Sequence, residues 1–381
     1  MKICAIICEY NPFHNGHLYQ LRQAKALSGA DAVLCIMSGN FVQRGEPAIL
    51  DKYTRAKHAI LAGADAVLEL PAVFSTSNAE IFAKGAVKII ASIPAVSTLC
   101  FGAETADKLA FVSAARYLNN EPKEVSMQIK ESVSQGVSYA KARANAFAGF
   151  IPFELLTSSN NILALEYTKA ILLENADIDV LPVQRLGSSY NDAELHEEFS
   201  SATAIRKAFL EKKSIQENVP DFVYNDLQIS TPCINIELLE KYAVLNKTNE
   251  DLASVLDCTE GLENAFKRVA ETEDSFTTML TSARYTTSRI RRIALQNLLN
   301  ITEEQIRSAL NNDLYLRVLA VKKNRNDVLS ALSESRFPLV IRAHDEQKLN
   351  ATALQCFNRD IFAEKIYALL KNNPSKKEIF I

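Results

Sequence analysis

Short apolar runs alternate with amphipathic stretches along the first 210 residues of the chain. Runs rich in β-branched residues predict buried strands, and apolar residues at a spacing of three to four predict helices between them. The predicted strands cover 3–7, 32–37, 67–70, 97–101 and 179–183, and the predicted helices cover 17–27, 52–61, 79–91 and 161–174. This alternating order indicates an α/β fold, with a parallel sheet and helices on both of its faces.

The pattern changes at about residue 211, beyond which strand-like runs almost vanish. Leucine, alanine and charged residues recur there at helical spacing, for example over 238–245 and 290–299. We therefore expect a domain break near 212–220. It would separate an α/β domain at 1–212 from a mostly α-helical domain at 213–381.

Composition is that of an ordinary globular chain, with 48% hydrophobic and 23% charged residues and a net charge of −3. A nucleic-acid partner would therefore have to meet a local basic patch. The seven cysteines are odd in number and form no C-x-x-C pair, and the first four lie in apolar runs. Reduced, buried thiols are the simplest interpretation. With no signal peptide and no apolar run of membrane-spanning length, we expect a cytoplasmic protein without a membrane partner.

The segment from Glu9 to His17 follows the first predicted strand and enters the first helix. Ligands of open α/β sheets bind beyond the carboxyl ends of the strands, and a helix N-terminus offers free N–H groups to an anion. Gly16 permits close backbone approach. The imidazoles of His14 and His17 would donate hydrogen bonds to phosphate oxygens there.

Two other interpretations of this histidine pair stay open. Loop histidines are often ordinary surface residues. A zinc site is also conceivable, but H-x-x-H supplies two ligands and no third lies nearby in sequence, so we predict no protein-bound metal.

The motif from His14 to His17 resembles the H-x-G-H signature of the nucleotidyltransferase superfamily, whose members transfer AMP from ATP. The segment from Ser200 to Arg206 resembles the second signature of that superfamily, although Ala202 precedes Thr203 and departs from its pattern. By this resemblance the first domain is a Rossmann-like nucleotidyltransferase sheet, and Arg206 meets the β- and γ-phosphates. The K-M-S-K-S loop of the related aminoacyl-tRNA synthetases is absent.

Longer stretches resemble one family more closely, the bacterial tRNA(Met) cytidine acetate ligases. The matching segments are Glu9–Tyr19, Met37–Pro47, Phe101–Gly102, Asn160–Leu163 and Arg284–Arg292. The resemblance implies that acetate attacks the α-phosphate of ATP, which we expect to carry Mg²⁺, to give acetyl-AMP and pyrophosphate. The wobble cytidine of elongator tRNA(Met) then accepts the acetyl group to give N4-acetylcytidine.

The resemblance also implies which residues hold ATP, with His14, His17 and Arg206 acting on the phosphates. The expected ATP-contacting residues are Ile7, Cys8, Glu9, Tyr10, Asn11, Pro12, Phe13, His14, Asn15, Gly16, His17, Leu18, Tyr19, Gln20, Gly102, Asn160 and Arg185. Two of these have a structural alternative. Asn160 could be the N-cap of the following helix, and Arg185 could be a solvated charge, although its surroundings at 184–190 predict a loop after a strand.

Residues 281–325 hold nine Lys and Arg against three acids, in a chain whose net charge is −3. Such local asymmetry is typical of a phosphate-binding surface, on which Tyr285 and Tyr315 could stack on unpaired bases. The expected tRNA-binding residues are Arg44, Lys52, Arg55, Arg284, Arg289, Arg291, Arg292, Lys322 and Lys323. Arg44, Lys52 and Arg55 could guide pyrophosphate in place of the tRNA backbone. A solvated helix surface remains the further alternative, for Lys52 and Arg55 especially.

Two other functions remain open from the sequence. A small-molecule adenylyltransferase would need no basic helical domain and would turn over without RNA. A tRNA-binding protein without catalysis would consume no ATP. The sequence leaves the acyl group, the general base and the oligomeric state undetermined.

Overall fold

The structure is a computed structural model that describes residues 1–137, 139–186, 195, 199–231 and 233–371. The loop predicted at 184–190 therefore extends, from residue 187 onwards, outside the described residues. Within the described ranges, no helix has the length and apolar character that crossing a bilayer requires.

Seven strands form one sheet, and two short strands form a hairpin beside it. The strands are β1 (Ile3–Cys8), β2 (Ala32–Ser38), β3 (Phe41–Val42), β4 (Glu46–Pro47), β5 (Ala66–Leu70), β6 (Val96–Ala103), β7 (Asp179–Gln184), β8 (Leu316–Val321) and β9 (Leu339–Val340). The order across the sheet is β7-β6-β1-β2-β5-β8-β9. The first five are parallel, as the sequence predicted, and β8 runs antiparallel to β5.

Helices cover both faces of this sheet, and all five predicted strands and four predicted helices of the first half are present. The helices are α1 (Asn15–Leu27), α2 (Lys52–Ala62), α3 (Ala72–Ser75), α4 (Ala79–Ala91), α5 (Lys108–Asn119), α6 (Lys123–Ser134), α7 (Tyr139–Ala146), α8 (Phe153–Thr157), α9 (Ser159–Leu173), α10 (Ala202–Leu210), α11 (Asp221–Gln228), α12 (Glu237–Leu245), α13 (Asn249–Ala253), α14 (Leu262–Ala270), α15 (Phe276–Leu280), α16 (Thr287–Leu299), α17 (Glu303–Asn311), α18 (Asn326–Ser333) and α19 (Ala351–Lys371). Two 3₁₀ segments cover Gln216–Asn218 and Ala343–Lys348.

The alternating side chains of the parallel strands feed two cores, one on each face. On one face Cys4, Ile6 and Cys35 pack under α1, α2, α10 and α11. On the other face Ile3 and Leu34 pack under α4, α5, α9 and α19. Because both faces are covered, the central strands β1 and β2 are apolar along almost their whole length, which is why they appear as continuous apolar runs in the sequence.

The C-terminal half is less separate from the sheet than the predicted boundary at 212/213 implies. Beyond that boundary, Val223 and Leu227 of α11 still pack on the sheet. β8 and β9 extend the sheet itself, and α19 covers its second face. The prediction of an almost strand-free second half missed β8, because Arg317 interrupts its apolar residues and the remaining run at 318–321 is too short to be distinguished from a buried helix by periodicity alone.

A distinct helical core lies between these returning segments. Leu252, Phe266, Phe276 and Ile290 form its centre, from α13 to the first half of α16. The second half of α16 packs into the sheet core through Leu295 and neighbouring residues. α16 thus joins the helical region to the α/β domain. We call the surface where these two parts meet along α16 the junction.

Candidate functional site

A cleft opens at the carboxyl ends of β1 and β6, where a nucleotide is expected to bind in an open α/β sheet. The β1–α1 turn, the β3–β4 hairpin, α9 and the start of α10 form its walls. Its lining residues are Ile7, Cys8, Glu9, Tyr10, Asn11, His17, Gln20, Val42, Gln43, Arg44, Phe82, Phe101, Gly102, Asn160, Leu163, Tyr167, Arg185, Ala202, Thr203 and Arg206. We call this the nucleotide cleft. A smaller cavity beside it adds His14, Gly16 and Tyr19.

The turn after β1 brings both predicted histidines to the N-terminus of α1. His14 is the N-cap of this helix, and its Nδ1 accepts a hydrogen bond from the backbone N–H of Gly16 at 3.1 Å. The backbone N–H of His14 donates in turn to Nδ1 of His17 at 3.3 Å. The two rings stack, with centroids 3.6 Å apart. The sequence therefore forms a capping box made of two imidazoles.

This capping box determines where each imidazole carries its proton. Nδ1 of each ring accepts a hydrogen bond, so a neutral ring must hold its proton on Nε2. Burial, together with the charges of Arg185 and Arg206, lowers the pKa of His14 to about 3. Burial and the neighbouring His14 also hold the pKa of His17 well below its usual range. At neutral pH both rings are therefore neutral Nε2–H donors, suited to phosphate oxygens.

Gly16 is needed for this stacking. A Cβ at position 16 would lie 2.9 Å from Cε1 of His14 and 3.1 Å from its Nδ1. Any larger residue would push the imidazole off the helix N-terminus. The glycine of the motif thus serves the ring of His14 as well as the approach of a ligand.

Arg44, Arg185 and Arg206 supply positive charge to the cleft, and the last two lie against the β1–α1 turn and the end of β6. Arg206 lies on the first turns of α10 and donates to the carbonyl oxygen of Asn11 at 2.7 Å, which places its guanidinium against the β1–α1 turn. Arg185 follows β7 and lies over Gly102, where a Cβ would be 3.4 Å from Cγ of Arg185. Both side chains face the cleft. The arrangement can neutralise a polyphosphate without a protein-bound metal.

Glu104 orders the wall formed by α9. Nδ2 of Asn160 donates to Oε1 of Glu104 at 2.6 Å, and the backbone N–H of Asn161 donates to Oε2 at 2.9 Å. The N-cap of α9 is Ser158, so Asn160 is not the N-cap that the sequence left open. Glu104 was missed by sequence reasoning because it follows a strand 56 residues before its partner.

Not every residue of the predicted nucleotide-binding segment faces the cleft. Phe13 is fully buried and packs on the rings of Tyr10 and Phe222. Pro12 is buried, Leu18 packs against the core under α1, and Asn15 donates to the carbonyl oxygen of Glu217. The side chains of Pro12, Phe13, Asn15 and Leu18 therefore shape the turn from behind, and the contact with the nucleotide that the resemblance implies for these four residues stays a prediction. Gln43 also lines the cleft, from the Met37–Pro47 segment that carries the family resemblance, whereas Phe82 and Tyr167 line it without a sequence signal.

Lys52 and Arg55 are buried, which contradicts their predicted role as tRNA contacts. Nζ of Lys52 lies 2.8 Å from Glu69 and 3.1 Å from Glu364. Arg55 is completely buried and donates to the backbone carbonyls of Glu9, Ser38, Gly39 and Leu50. Two cations spaced three apart on a helix are typical of a solvent-exposed face, but here that face of α2 packs on the ends of β1 and β2. Arg55 thereby fixes the floor of the cleft.

The basic residues predicted to bind tRNA do not form one surface. Arg289, Arg291 and Arg292, the α16 arginines, lie at the junction near the cleft, with Arg284 and Tyr285 just before them. Arg291 pairs with Glu46 of the hairpin, whose carboxylate is 3.9 Å from Arg206. Arg44 lies on the same hairpin and lines the cleft.

The remaining basic candidates lie elsewhere. Lys322 and Lys323 follow β8, which runs antiparallel, so they lie at the opposite edge of the sheet from the cleft. The prediction that they join the α16 arginines on one surface is therefore wrong. Tyr315 is fully buried, with its hydroxyl donated to Asp360, and Arg317 is buried beside Glu69. Neither can reach RNA.

No group of three or more His, Cys, Asp and Glu side chains arranged to hold a metal ion occurs among the described residues. Mg²⁺, if used, would reach the cleft on the triphosphate as part of the substrate.

The whole chain is similar to proteins of one kind. Residues 1–379 match the family model described as HIGH Nucleotidyl Transferase. A tRNA(Met) cytidine acetate ligase from Thermoanaerobacter sp. (strain X514) is 38% identical, over 98% of this chain and 97% of that protein. One from Clostridium kluyveri is 36% identical, over 100% of this chain and 98% of that protein.

Two solved structures agree with this. The crystal structure of apo Thermotoga maritima TmcAL has a TM-score of 0.91 at 29% identity, and that of the same protein bound with alpha-thio ATP has a TM-score of 0.89 at 30% identity, both over 100% of each chain. The chain therefore belongs to the tRNA(Met) cytidine acetate ligase family of HIGH nucleotidyl transferases.

Proposed function

We propose that this protein is an ATP-dependent ligase that activates acetate as acetyl-AMP and acetylates the wobble cytidine of elongator tRNA(Met). The observation that carries the proposal is the pair of neutral imidazoles at the N-terminus of α1, facing a cleft that also holds Arg185 and Arg206. Family membership supplies the substrates, and a relative with an ATP analogue supports nucleotide binding.

The first step joins acetate to AMP. A carboxylate oxygen of acetate attacks the α-phosphorus of ATP, a new P–O bond forms, and the bond to the β-phosphate breaks to release pyrophosphate. Nε2–H of His14 and His17 would hydrogen-bond the oxygens on which charge accumulates, and Arg206 would neutralise the leaving pyrophosphate. Donors aimed at developing charge are worth about 10²–10³ in rate each.

The second step transfers the acetyl group to RNA. The exocyclic amine of cytosine is a weak nucleophile, which is why the acyl group must first be activated. The amine attacks the acetyl carbon, the C–N bond forms, the bond to AMP breaks, and the amine loses a proton. The target base must leave its stack to reach the cleft, as an anticodon loop allows.

The basic residues at the junction give the tRNA a route to the cleft. Arg291 and the backbone of Arg292 lie on one side of the β3–β4 hairpin, and Arg44 lies on the other side within the cleft. A phosphate backbone lying along α16 could therefore place a loop nucleotide at the cleft. A tRNA substrate would put the enzyme in the cytoplasm.

The test is direct. The protein is incubated with ATP, labelled acetate and total tRNA, and the RNA is digested to nucleosides. We expect label in N4-acetylcytidine from elongator tRNA(Met) and one AMP for each acetyl group transferred. Full turnover without RNA would instead indicate a small-molecule adenylyltransferase. No ATP consumption with any acid would indicate a tRNA-binding protein.

A further inference from the structure

A second cavity lies against the hairpin, on the side away from the nucleotide cleft. We call it the hairpin cavity. The hairpin is a wall shared by both spaces, since Val42, Gln43 and Arg44 line the cleft while Gly45, Glu46 and Pro47 line the hairpin cavity. Its other walls come from the start of α12, from α15 and from α16. Because it adjoins Arg291, it lies where we propose that the RNA approaches.

The hairpin is held tightly in this position. Gly45 has a φ of +76°, and a Cβ there would lie 2.6 Å from the backbone of both Arg291 and Arg292. Glu46 pairs with Arg291 on the cavity side and approaches Arg206 on the cleft side. The distance between the two spaces is therefore fixed by backbone packing and by an ion pair.

One polar group in the hairpin cavity has no partner. Glu240 is 6% exposed, and its carboxyl forms no side-chain hydrogen bond or ion pair with the described part of the chain. The two other carboxylates of the cavity are occupied, since Glu237 accepts from the backbone of Phe276 at 2.6 Å and Glu46 holds Arg291. Burying a polar group without a partner is unfavourable, so a ligand that pairs with Glu240 would be favoured.

Size and chemistry restrict that ligand. The cavity is about 220 Å³. This is several times the ~30 Å³ share of one liquid water and below the ~300–1,000 Å³ of typical small-molecule sites. Ile236, Pro47 and Phe276 give it apolar walls. Burial and the nearby Glu237 raise the pKa of Glu240 to about 8, so this carboxyl is largely protonated at neutral pH and both donates and accepts. A flat group with adjacent donor and acceptor atoms matches these features.

We propose that the hairpin cavity binds one unpaired nucleobase of the tRNA loop, a neighbour of the acetylated cytidine, with its edge on the Glu240 carboxyl. This inference rests on the proposed function and adds a specificity site to it. The target cytidine would approach the acetyl-AMP held in the nucleotide cleft, and the shared hairpin would hold its neighbour apart from it. Base edges read by a carboxyl in this way typically contribute about 1–3 kcal/mol of discrimination.

The experiment compares the wild-type protein with Glu240→Leu, Glu240→Gln and Thr277→Trp. Leu removes the hydrogen-bonding group, and Gln keeps a donor and an acceptor. Thr277→Trp places a large side chain in the cavity from a partly exposed position. This variant tests the same site if Glu240→Leu does not fold. Each protein is given a set of tRNA(Met) anticodon stem-loops that carry one base substitution at a time beside the target cytidine.

We expect acetyl-AMP formation within about twofold of wild type in every variant. Glu240→Leu and Thr277→Trp should lower kcat/KM for acetyl transfer by about 5- to 150-fold, the factor that corresponds to 1–3 kcal/mol, and Glu240→Gln by much less. The wild-type enzyme should discriminate at one loop position, and that discrimination should vanish in Glu240→Leu. Equal losses at all positions, or no loss at any, would overturn the nucleobase site. A wild-type protein that acetylates no stem-loop would instead refute the proposed function.

Discussion

Gly16→Ala tests the capping box, because, apart from the adjacent residues and the helix backbone, the ring of His14 is the only protein group within 4 Å of the added Cβ. The new Cβ would lie 2.9 Å from Cε1 of that ring, closer than real Cβ contacts, so the imidazole must move. The movement breaks the 3.1 Å hydrogen bond from the backbone N–H of residue 16 to Nδ1, which fixes the ring orientation and its Nε2–H tautomer.

The expected magnitude follows from that displacement. Misplacing a group by about 1 Å can cost 10²-fold in rate, and the ring here must move by less than that. We therefore expect acetyl-AMP formation to fall about 10- to 100-fold, which corresponds to about 1.4–2.7 kcal/mol in the activation free energy. The thermal midpoint should not fall much, because alanine is the better helix former by about 0.5–1 kcal/mol.

The assay is ATP–pyrophosphate exchange with acetate, without RNA, in a double-mutant cycle with His14→Ala. In the His14→Ala background the ring is gone, so Gly16→Ala should cause no further loss. The same loss in both backgrounds would refute the reasoning. So would a Gly16→Ala enzyme with wild-type exchange and an unchanged nucleotide affinity.

Three more outcomes are expected. Burial lowers the pKa of His14 to about 3 in the folded protein, against about 6.5 in the unfolded chain, so between these two pH values the unfolded chain binds one more proton. As the pH is lowered from about 6.5 towards about 3, this residue should decrease the free energy of unfolding by about 1.4 kcal/mol per pH unit. Denaturant titrations of His14→Asn should lack that contribution. Replacing the α16 arginines with alanine should weaken tRNA binding and reduce its salt dependence, while acetyl-AMP formation survives. Alanine at Lys322 and Lys323, at the opposite edge of the sheet, is the matched control and should change neither the affinity for tRNA nor its salt dependence. Lys52→Met should cost about 3–5 kcal/mol of stability by leaving buried carboxylates unpaired, whereas Lys57→Met, at a partly exposed ion pair, should cost about 0–1 kcal/mol in the same denaturation assay.

The sequence predicted the α/β half well, because the hydrophobic pattern of each segment there favours the same element that packing in the sheet requires. The helix at 79–91 was predicted to the residue, and each predicted strand lies within two residues of an observed one. Strands that are buried on both faces leave an unambiguous apolar run, and helices between them keep an amphipathic period. The β1–α1 turn was equally visible, because two histidines flank a glycine at a strand–helix junction.

The sequence could not show long-range pairing. Lys52 has the local pattern of a surface residue, and its burial depends on Glu69 from the next strand and on Glu364 from the last helix. β8 joins the sheet only because its partner β5 leaves an open edge. Glu104 and Glu240 carry no motif, and each is recognisable only through what surrounds it in three dimensions.

The central claim is that the imidazoles of the β1–α1 turn bind the phosphates of ATP. A crystal structure of this protein with a non-hydrolysable ATP analogue tests it most directly. We predict phosphate oxygens within hydrogen-bonding distance of Nε2 of His14 and His17, with Arg206 on the β- or γ-phosphate. An analogue bound instead in the separate cavity between α2 and α19, with the nucleotide cleft empty, would contradict the account.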